Sequence, residues 1–278
     1  MPPDATPERL AFYRVVADEL WDFRKGKERN QVVGADLTTD QVSLIEDASE
    51  VLGLRTATCP ARQTYDSVLI LGGLLRGCLT RTRAAHELIT GGLIAHSVVG
   101  LGGTRVLTEP EVDQGERLGI RATTEYQAML GAVVSVFAPD GNPSVTSHED
   151  EQPNAAWAIT DFPGEPRLAV VSAPSLEPEK RRANTSDTLI WWTARESGAG
   201  GANYLLITHP IYVPYQAATA VRTYGLPNNA GVELTGVTAT AGDLGRLTQE
   251  FLPHNYLQEI GSAIRGYSDL WDAMNESL

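Results

Sequence analysis

The sequence predicts an α/β protein built on a doubly wound, mostly parallel β-sheet. Apolar runs end in glycine at residues 66–73 and 93–103, and their spacing of about 30 residues is typical of a βαβ unit. Strand and helix patterns alternate again after residue 166, as expected for a parallel sheet with helices on both faces. Right-handed crossovers would bring the carboxyl ends of these strands to one edge, where ligands bind in open α/β sheets.

Periodicity and capping signals place the individual elements. Amphipathic helices are predicted at residues 6–23, where Thr6 would cap, and at residues 38–54, where Thr38 or Thr39 would cap. Further helices are expected at residues 76–88, 108–119, 123–137, 184–196 and 213–225, further strands at 167–173, 203–210 and 231–238, and a last helix from His254.

Three units follow from this order. Residues 1–60 form an N-terminal helical segment, residues 61–240 form a Rossmann-like domain, and residues 241–278 form C-terminal helices packed on the same domain. Residues 138–166 are rich in Pro, Gly, Asp and Glu and are too long for an ordinary connection, which predicts an insertion or a mobile loop.

Composition and net charge limit the classes of partner that the protein is expected to bind. The 278 residues include 22 Lys and Arg against 35 Asp and Glu, a formal charge of −13, so nucleic acids and anionic membranes are not expected partners. No signal peptide or membrane span is apparent, which predicts a cytoplasmic protein. Cys59 and Cys78 are expected as buried, reduced thiols, with a disulfide between them as the alternative, and no clustered metal ligands are seen.

Polar and glycine-rich stretches follow the predicted strands and indicate a ligand site at their carboxyl ends. Glycine lets a backbone approach a ligand, helix N-termini attract anions, and arginine binds phosphate or carboxylate. The candidate ligand-binding residues are Gly72, Gly73, Arg76, Arg81, Gly102, Gly103, Thr104, Asn184, Thr185, Thr208, Tyr212 and Gln216. The glycine pairs could equally be ordinary turns, and neither a dinucleotide fingerprint nor a Walker loop is present.

Two side chains are the candidate catalytic groups. His209 directly follows a strand and is expected at the mouth of the site, as an acid–base or ligand-binding residue. Glu125 lies in the first turn of a helix, where a purely structural carboxylate is the alternative. His96 lies within a strand and is expected in the core, whereas Arg181 and Arg182 precede a helix start and could help to hold an anion.

The order of these motifs resembles the bacterial SanA/YdcF-like family, over residues 64–240. The matching segments are "DSVLILGG", "VVGLGGT", Thr124 with Glu125, "ANTSDT" and "LLITHPIYVPYQ", although Asp187 and Thr188 replace a Glu-Asn pair and Gln216 stands where arginine is common. The resemblance implies a Rossmann-like fold and adds Thr124 to the candidate ligand-binding residues. The cytoplasmic YdcF branch implies S-adenosylmethionine as the cofactor, and the SanA branch implies a role in envelope integrity.

The sequence therefore predicts a cytoplasmic enzyme, a transferase or hydrolase, that binds a nucleotide-like or phosphorylated anionic small molecule. S-adenosylmethionine is the named candidate, and no metal is indicated. A non-catalytic ligand-binding or regulatory protein and an envelope-homeostasis factor are the alternatives. The oligomeric state is left open.

Overall fold

A computed structural model describes residues 7–23, 36–152, 154–196, 201–238 and 250–276 and confirms the predicted α/β class. The strands form one sheet of seven: β1 (Thr64–Ile70), β2 (Ile94–Gly102), β3 (Ser144–His148), β4 (Trp157–Phe162), β5 (Arg167–Ser172), β6 (Asn203–Thr208) and β7 (Gly231–Gly236). Five of them are parallel, in the order β5-β2-β1-β6-β7, and β4 and β3 extend the β5 side antiparallel.

The strand order reverses at β1. The chain moves from β1 outward to β2 and β5, then returns to the other side of β1 for β6 and β7. The carboxyl ends of β1 and β6 therefore lie next to each other, with the connecting helices on opposite faces of the sheet. This reversal creates the crevice in which open α/β sheets bind ligands.

The helices follow in chain order as the sequence predicts. They are α1 (Pro7–Leu20), α2 (Thr39–Val51), α3 (Leu75–Thr90), α4 (Glu109–Arg117), α5 (Glu125–Phe137), α6 (Thr185–Glu196), α7 (Val213–Ala220), α8 (Leu226–Asn228) and α9 (Pro253–Glu276). A 3₁₀ turn (Pro210–Tyr212) leads into α7, and a π turn (Val221–Gly225) joins α7 to α8.

Each face of the sheet carries its own apolar core. On one face, Val68 and Ile70 of β1 pack with α3 and α5. On the other face, Leu69 and Leu71 pack with Trp192 of α6 and with α7. Alternate residues of β1 thus serve two cores, as in a strand that is buried on both sides.

Capping explains where two of the helices begin. Thr38 caps α2: its hydroxyl accepts from the N–H of Gln41, and the side chain of Gln41 accepts from the N–H of Thr38. Thr108 and Glu111 form the same capping box at the start of α4. Both starts were predicted from the sequence. The expected cap at Thr6 lies outside the described residues.

Residues 138–166 do not form a mobile loop. Strands β3 and β4 pair antiparallel within this segment, and β4 pairs with β5, so the segment widens the sheet. Its abundance of Pro, Gly and acidic residues reflects the turns around a hairpin whose outer strand is exposed along its length.

The two ends of the chain pack together. Helix α9 lies against α7, α1 and α2. Gly261 of α9 lies against α1, where an added Cβ would be 3.4 Å from Cβ of Ala17, in ordinary contact, and Arg14 pairs with Asp269 at 2.8 Å. Among the described residues, no helix is long and apolar enough to cross a membrane.

One sequence prediction about a histidine is wrong. His96 was expected in the core, but its side chain is 79% exposed and lies 3.7 Å from Asp66. The amino-terminal part of β2 alternates between exposed and half-buried positions, and continuous burial begins at Ser97. The sequence predicts a strand that is buried along its length, but the first residues of β2 are not covered by helices.

Gly72 is required by the close approach of β1 and β2. A Cβ at residue 72 would lie 2.3 Å from the carbonyl oxygen of Leu101, an atom that cannot move without shifting β2. At the neighbouring Gly73, the nearest atom to an added Cβ would be Nη1 of Arg81 at 3.4 Å, in ordinary contact.

We therefore expect Gly72→Ala to lower the free energy of unfolding by about 1–3 kcal/mol, the usual cost of overpacking. Urea denaturation measures the change, with Gly73→Ala as the matched control that leaves stability nearly unaltered. Equal stability of the two variants would contradict the assignment of Gly72 as a packing residue.

Candidate functional site

A cleft of about 880 Å³ lies at the carboxyl edge of the sheet, beside the reversal at β1. Its walls come from the turns after β1 and β2, the start of α6, the segment leading into α7, and α9. The volume is within the usual range for small-molecule sites.

The turn after β1 forms the floor of the cleft. Gly72, Gly73 and Arg76 line it, and no side chain of the described residues caps the N-terminus of α3. Burial lowers the pKa of the Arg76 guanidinium, and the charges of Tyr212 and Glu111 oppose that shift. The Nε atom of Arg76 is buried, and no described group accepts a hydrogen bond from it. An uncapped helix start and a cationic donor without a partner therefore face the same space.

The turn after β2 brings a carboxylate into the cleft. Gly102 packs on α5, because an added Cβ would lie 2.6 Å from Cα of Tyr126. At Gly103, an added Cβ would lie 2.8 Å from Oε2 of Glu125. The first glycine is thus needed for packing, and the second leaves room for the Glu125 side chain.

Arg105 and its acidic partners hold this carboxylate in place. Nε of Arg105 donates to Oε1 of Glu125 at 2.8 Å, while its two terminal nitrogens donate to Glu111 at 2.8 and 2.7 Å. Nη1 of Arg182 lies 3.7 Å from Oε2 of Glu125. Burial alone would raise the pKa of Glu111, but hydrogen bonds from Arg105 and the N–H of Thr108 bring it below the ordinary value.

The start of α6 closes the opposite side. The Oδ1 atom of Asn184 accepts from the Asp187 N–H, and Oδ2 of Asp187 accepts from the Asn184 N–H, both at 3.0 Å. Asp187 is buried and also pairs with Arg181. Arg181 therefore holds this helix start, and it lines the cleft together with Asn184 and Thr185.

The segment around α7 adds aromatic and amide groups. Tyr212, Tyr215 and Gln216 line the cleft together with Phe251. Tyr212 and Gln216 are one helical turn apart and share a face. The Oε1 atom of Gln216 is buried, and no described residue donates a hydrogen bond to it.

The C-terminal helix covers the remaining side with polar groups. Its contributions to the wall are Asn255, Gln258, Glu259, Ser262 and Arg265, next to Asp22 from the end of the N-terminal helix region. Glu259 is 3% exposed, and Gln258 accepts a hydrogen bond from the N–H of Phe23 at 2.8 Å. Sequence reasoning missed this wall, because it looked for the apolar stripe of α9, whereas the residues buried most deeply are polar or small.

Arg81, in the wall of the cleft, and His209, which is not among the lining residues, join two strands. Nη1 of Arg81 donates to the carbonyl oxygens of Leu71, at 2.6 Å, and Gly72. Its Nε donates to Nδ1 of His209 at 3.0 Å. His209 is 4% exposed, so the expectation of a histidine at the mouth is wrong in its placement. Since Nδ1 accepts from a cation, it holds no proton in this arrangement.

Most of the predicted site residues converge on the cleft. The walls include Gly72, Gly73, Arg76, Arg81, Gly102, Gly103, Glu125, Asn184, Thr185, Tyr212 and Gln216. Thr104, Thr124, Thr208 and His209 are not among the lining residues. Thr124 caps α5 by accepting from the N–H of Gln127 at 3.2 Å, and Thr208 is fully buried at the end of β6. A direct contact of these four residues with a ligand stays a prediction.

Arginines are concentrated in the lining of the cleft. Six of the 19 arginines of the sequence line it: Arg76, Arg81, Arg105, Arg181, Arg182 and Arg265. Its acidic lining residues are Asp22, Glu125, Glu250 and Glu259. Three of the arginines also pair with carboxylates outside this lining: Arg105 with Glu111, Arg181 with Asp187, and Arg265 with Asp18. The attraction of the cleft for a small anion therefore depends on Arg76 and the start of α3 rather than on the summed charge of the lining.

Fold and cleft together define a Rossmann-like α/β protein with an arginine-lined cleft at the strand reversal. Residues 1–53 match the family model of the Rv3785 N-terminal domain. The chain is 33% identical over 239 residues to the uncharacterized protein Rv3785 of Mycobacterium tuberculosis (strain ATCC 25618 / H37Rv) and to the uncharacterized protein Mb3814 of Mycobacterium bovis. These alignments span 83% of this chain and 66% of the length of each relative. No solved structure matches.

The position of His209 indicates a structural role that can be measured. His209→Ala removes the acceptor for the buried Nε of Arg81, and a hydrogen bond to a charged group is worth about 1.5–3 kcal/mol. We expect the free energy of unfolding to fall by about that amount in urea denaturation. His96→Ala, at an exposed histidine, is the control and should leave stability unchanged. Equal stability of both variants would show that Arg81 does not depend on His209.

Proposed function

We propose that the cleft binds a phosphorylated, nucleotide-like small molecule, with a phosphate group at the N-terminus of α3. The observation that carries the proposal is Arg76, which lines the cleft beside an uncapped helix start and whose buried Nε has no acceptor among the described residues. Both features favour an anion. The planar guanidinium also matches the geometry of phosphate oxygens.

The other walls suit the remainder of such a molecule. Tyr212, Tyr215 and Phe251 offer aromatic surfaces on which a base can stack, and α9 offers polar groups. Arg182, 3.7 Å from Glu125 and half-buried, adds positive charge across from Arg76. The site adjoins the reversal at β1, where nucleotides bind in doubly wound folds.

Arg76 and the start of α3 distinguish between the two kinds of ligand considered from the sequence. S-adenosylmethionine carries a sulfonium and an ammonium group besides one carboxylate, so its net charge is positive, whereas a cationic side chain at a helix N-terminus favours an anion. A phosphate ester carries the complementary charge. Phosphorylated compounds are therefore the first choice, and S-adenosylmethionine remains in the test panel because the SanA/YdcF-like resemblance implies it.

A catalytic role, as transferase or hydrolase, is the second candidate. The observation that favours it is the Glu125 carboxylate, which lines the cleft and is oriented by Arg105. A carboxylate in this position can accept a hydrogen bond from an attacking water or hydroxyl. No histidine or cysteine is found among the described lining residues, and the non-catalytic alternative therefore comes first. A cytoplasmic location without nucleic-acid or membrane partners is part of the same proposal.

Arg76→Ala tests the binding proposal. Isothermal titration calorimetry with pyrophosphate, ADP, ATP and S-adenosylmethionine identifies which of these the wild-type protein binds. We expect a phosphate compound to bind, and Arg76→Ala to weaken it by about 10- to 150-fold, equivalent to about 1.5–3 kcal/mol. Arg121→Ala, at an exposed arginine outside the cleft, should leave the affinity unchanged. Unaltered affinity in Arg76→Ala, or no binding by the wild type, would contradict the proposal.

Glu125→Gln separates catalysis from binding. Release of phosphate from the nucleotides, and of S-adenosylhomocysteine from S-adenosylmethionine, is followed for wild type and variant. If Glu125 acts in catalysis, the variant loses about 10²–10⁴-fold in rate while nucleotide affinity changes less than tenfold. Glu116→Gln, at an exposed position of α4, is the control. Turnover by the wild type that is undiminished in Glu125→Gln would remove this residue from the reaction.

A further inference from the structure

Two buried groups in the cleft have no hydrogen-bond partner among the described residues, and they are of opposite type. Nε of Arg76 can only donate a hydrogen bond, whereas Oε1 of Gln216 can only accept one. Both residues line the same cleft. Buried polar atoms are almost always paired in folded proteins, so an unpaired donor and an unpaired acceptor call for a bound molecule or water that satisfies both.

The two groups come from helices that meet at the strand reversal. The Tyr212 ring lies over the guanidinium of Arg81, with its centroid 5.8 Å from Cζ, and Arg81 and Arg76 belong to the same helix, α3. Gln216 follows Tyr212 by one helical turn, and both line the cleft. Donor and acceptor are thus presented from α3 and α7, on the two sides of the strand reversal.

We propose that Gln216 selects ligands in which a hydroxyl or amine donor lies close to the phosphate group, as in a phosphorylated polyol, sugar or amino alcohol. This inference rests on the proposed function, because it assigns the phosphate to Arg76 and the start of α3. The hydroxyl donates to Oε1 of Gln216 while the phosphate accepts from Nε of Arg76. An alkyl phosphate without a hydroxyl group accepts from Arg76 but supplies no donor for Oε1 of Gln216.

The selectivity follows from the cost of leaving Gln216 unpaired. A site built to hydrogen-bond a hydroxyl rejects an analogue that lacks it, since binding then removes water from the amide and supplies nothing in return. The discrimination is therefore a property of Gln216, and the overall affinity for phosphate is a property of Arg76. The two contributions can be separated by substitution.

The test compares glycerol 3-phosphate with propyl phosphate, which differ by two hydroxyl groups. Dissociation constants are measured by NMR titration for the wild type, Gln216→Met and Arg76→Ala. We expect the wild type to prefer glycerol 3-phosphate at least fivefold, and Gln216→Met to reduce that ratio to near one. Arg76→Ala weakens both probes by a similar factor and keeps the ratio. Gln63→Met, at an exposed glutamine outside the cleft, is the matched control.

Each outcome has a defined meaning. Equal wild-type affinity for the two probes, or a ratio that survives in Gln216→Met, overturns the selectivity and leaves the phosphate proposal standing. Failure of both probes to bind the wild type overturns this inference, whereas the phosphate proposal is decided separately by the titrations with pyrophosphate, ADP and ATP. Should Gln216→Met unfold, Gln216→Ala removes the same amide without adding volume, and the same ratio decides.

Discussion

The guanidinium of Arg81 links the segments that follow β1 and β6, just beyond the last paired residues of the two strands. From its place on α3 it donates to the carbonyl oxygens of Leu71 and Gly72 after β1, and to Nδ1 of His209 after β6. The Tyr212 ring lies near the same cation, with its centroid 5.8 Å from Cζ. Since strand order reverses between these two strands, no crossover helix joins their ends directly. A buried charged side chain fixes the spacing across the crevice, and the rest of the cleft is built around that spacing.

The glycines at the strand ends divide into two kinds. Gly72 and Gly102 allow the backbones of neighbouring elements to approach, because an added Cβ at either position would collide with the main chain of Leu101 or Tyr126. Gly73 and Gly103 face side chains of the cleft, those of Arg81 and Glu125. In each pair, therefore, the first glycine is needed for packing and the second lies beside a side chain of the cleft.

The sequence carried enough information to predict the parallel sheet and the edge on which its polar residues meet. Apolar runs that end in glycine, alternating with capped helices, leave few alternatives to a βαβ arrangement. Arg76 was placed in the cleft by that topology, and Glu125 by its position in the first turn of a helix together with the SanA/YdcF-like resemblance. His209 was misplaced, because adjacency to a strand end does not reveal that an arginine from another helix will cover it.

Hydrophobic periodicity in the sequence could not identify α9 as a wall of the cleft, for a physical reason. Hydrophobic periodicity identifies the face of a helix that packs on an apolar core, whereas the deeply buried face of α9 carries Gln258, Glu259 and Gly261. Such residues look exposed in a sequence. Their burial depends on α1 and α7, which lie far away along the chain.

The position of α9 links the contents of the cleft to the docking of the chain ends. Helix α9 packs on α1, α2 and α7 and at the same time forms part of the wall facing α3. Any molecule that contacts both sides therefore favours the docked arrangement by mass action, by about 2.7 kcal/mol when its concentration is 100 times its dissociation constant. Ligand occupancy of the cleft and docking of α9 on α1 are therefore coupled in one equilibrium. A change in either can be followed by measuring the other.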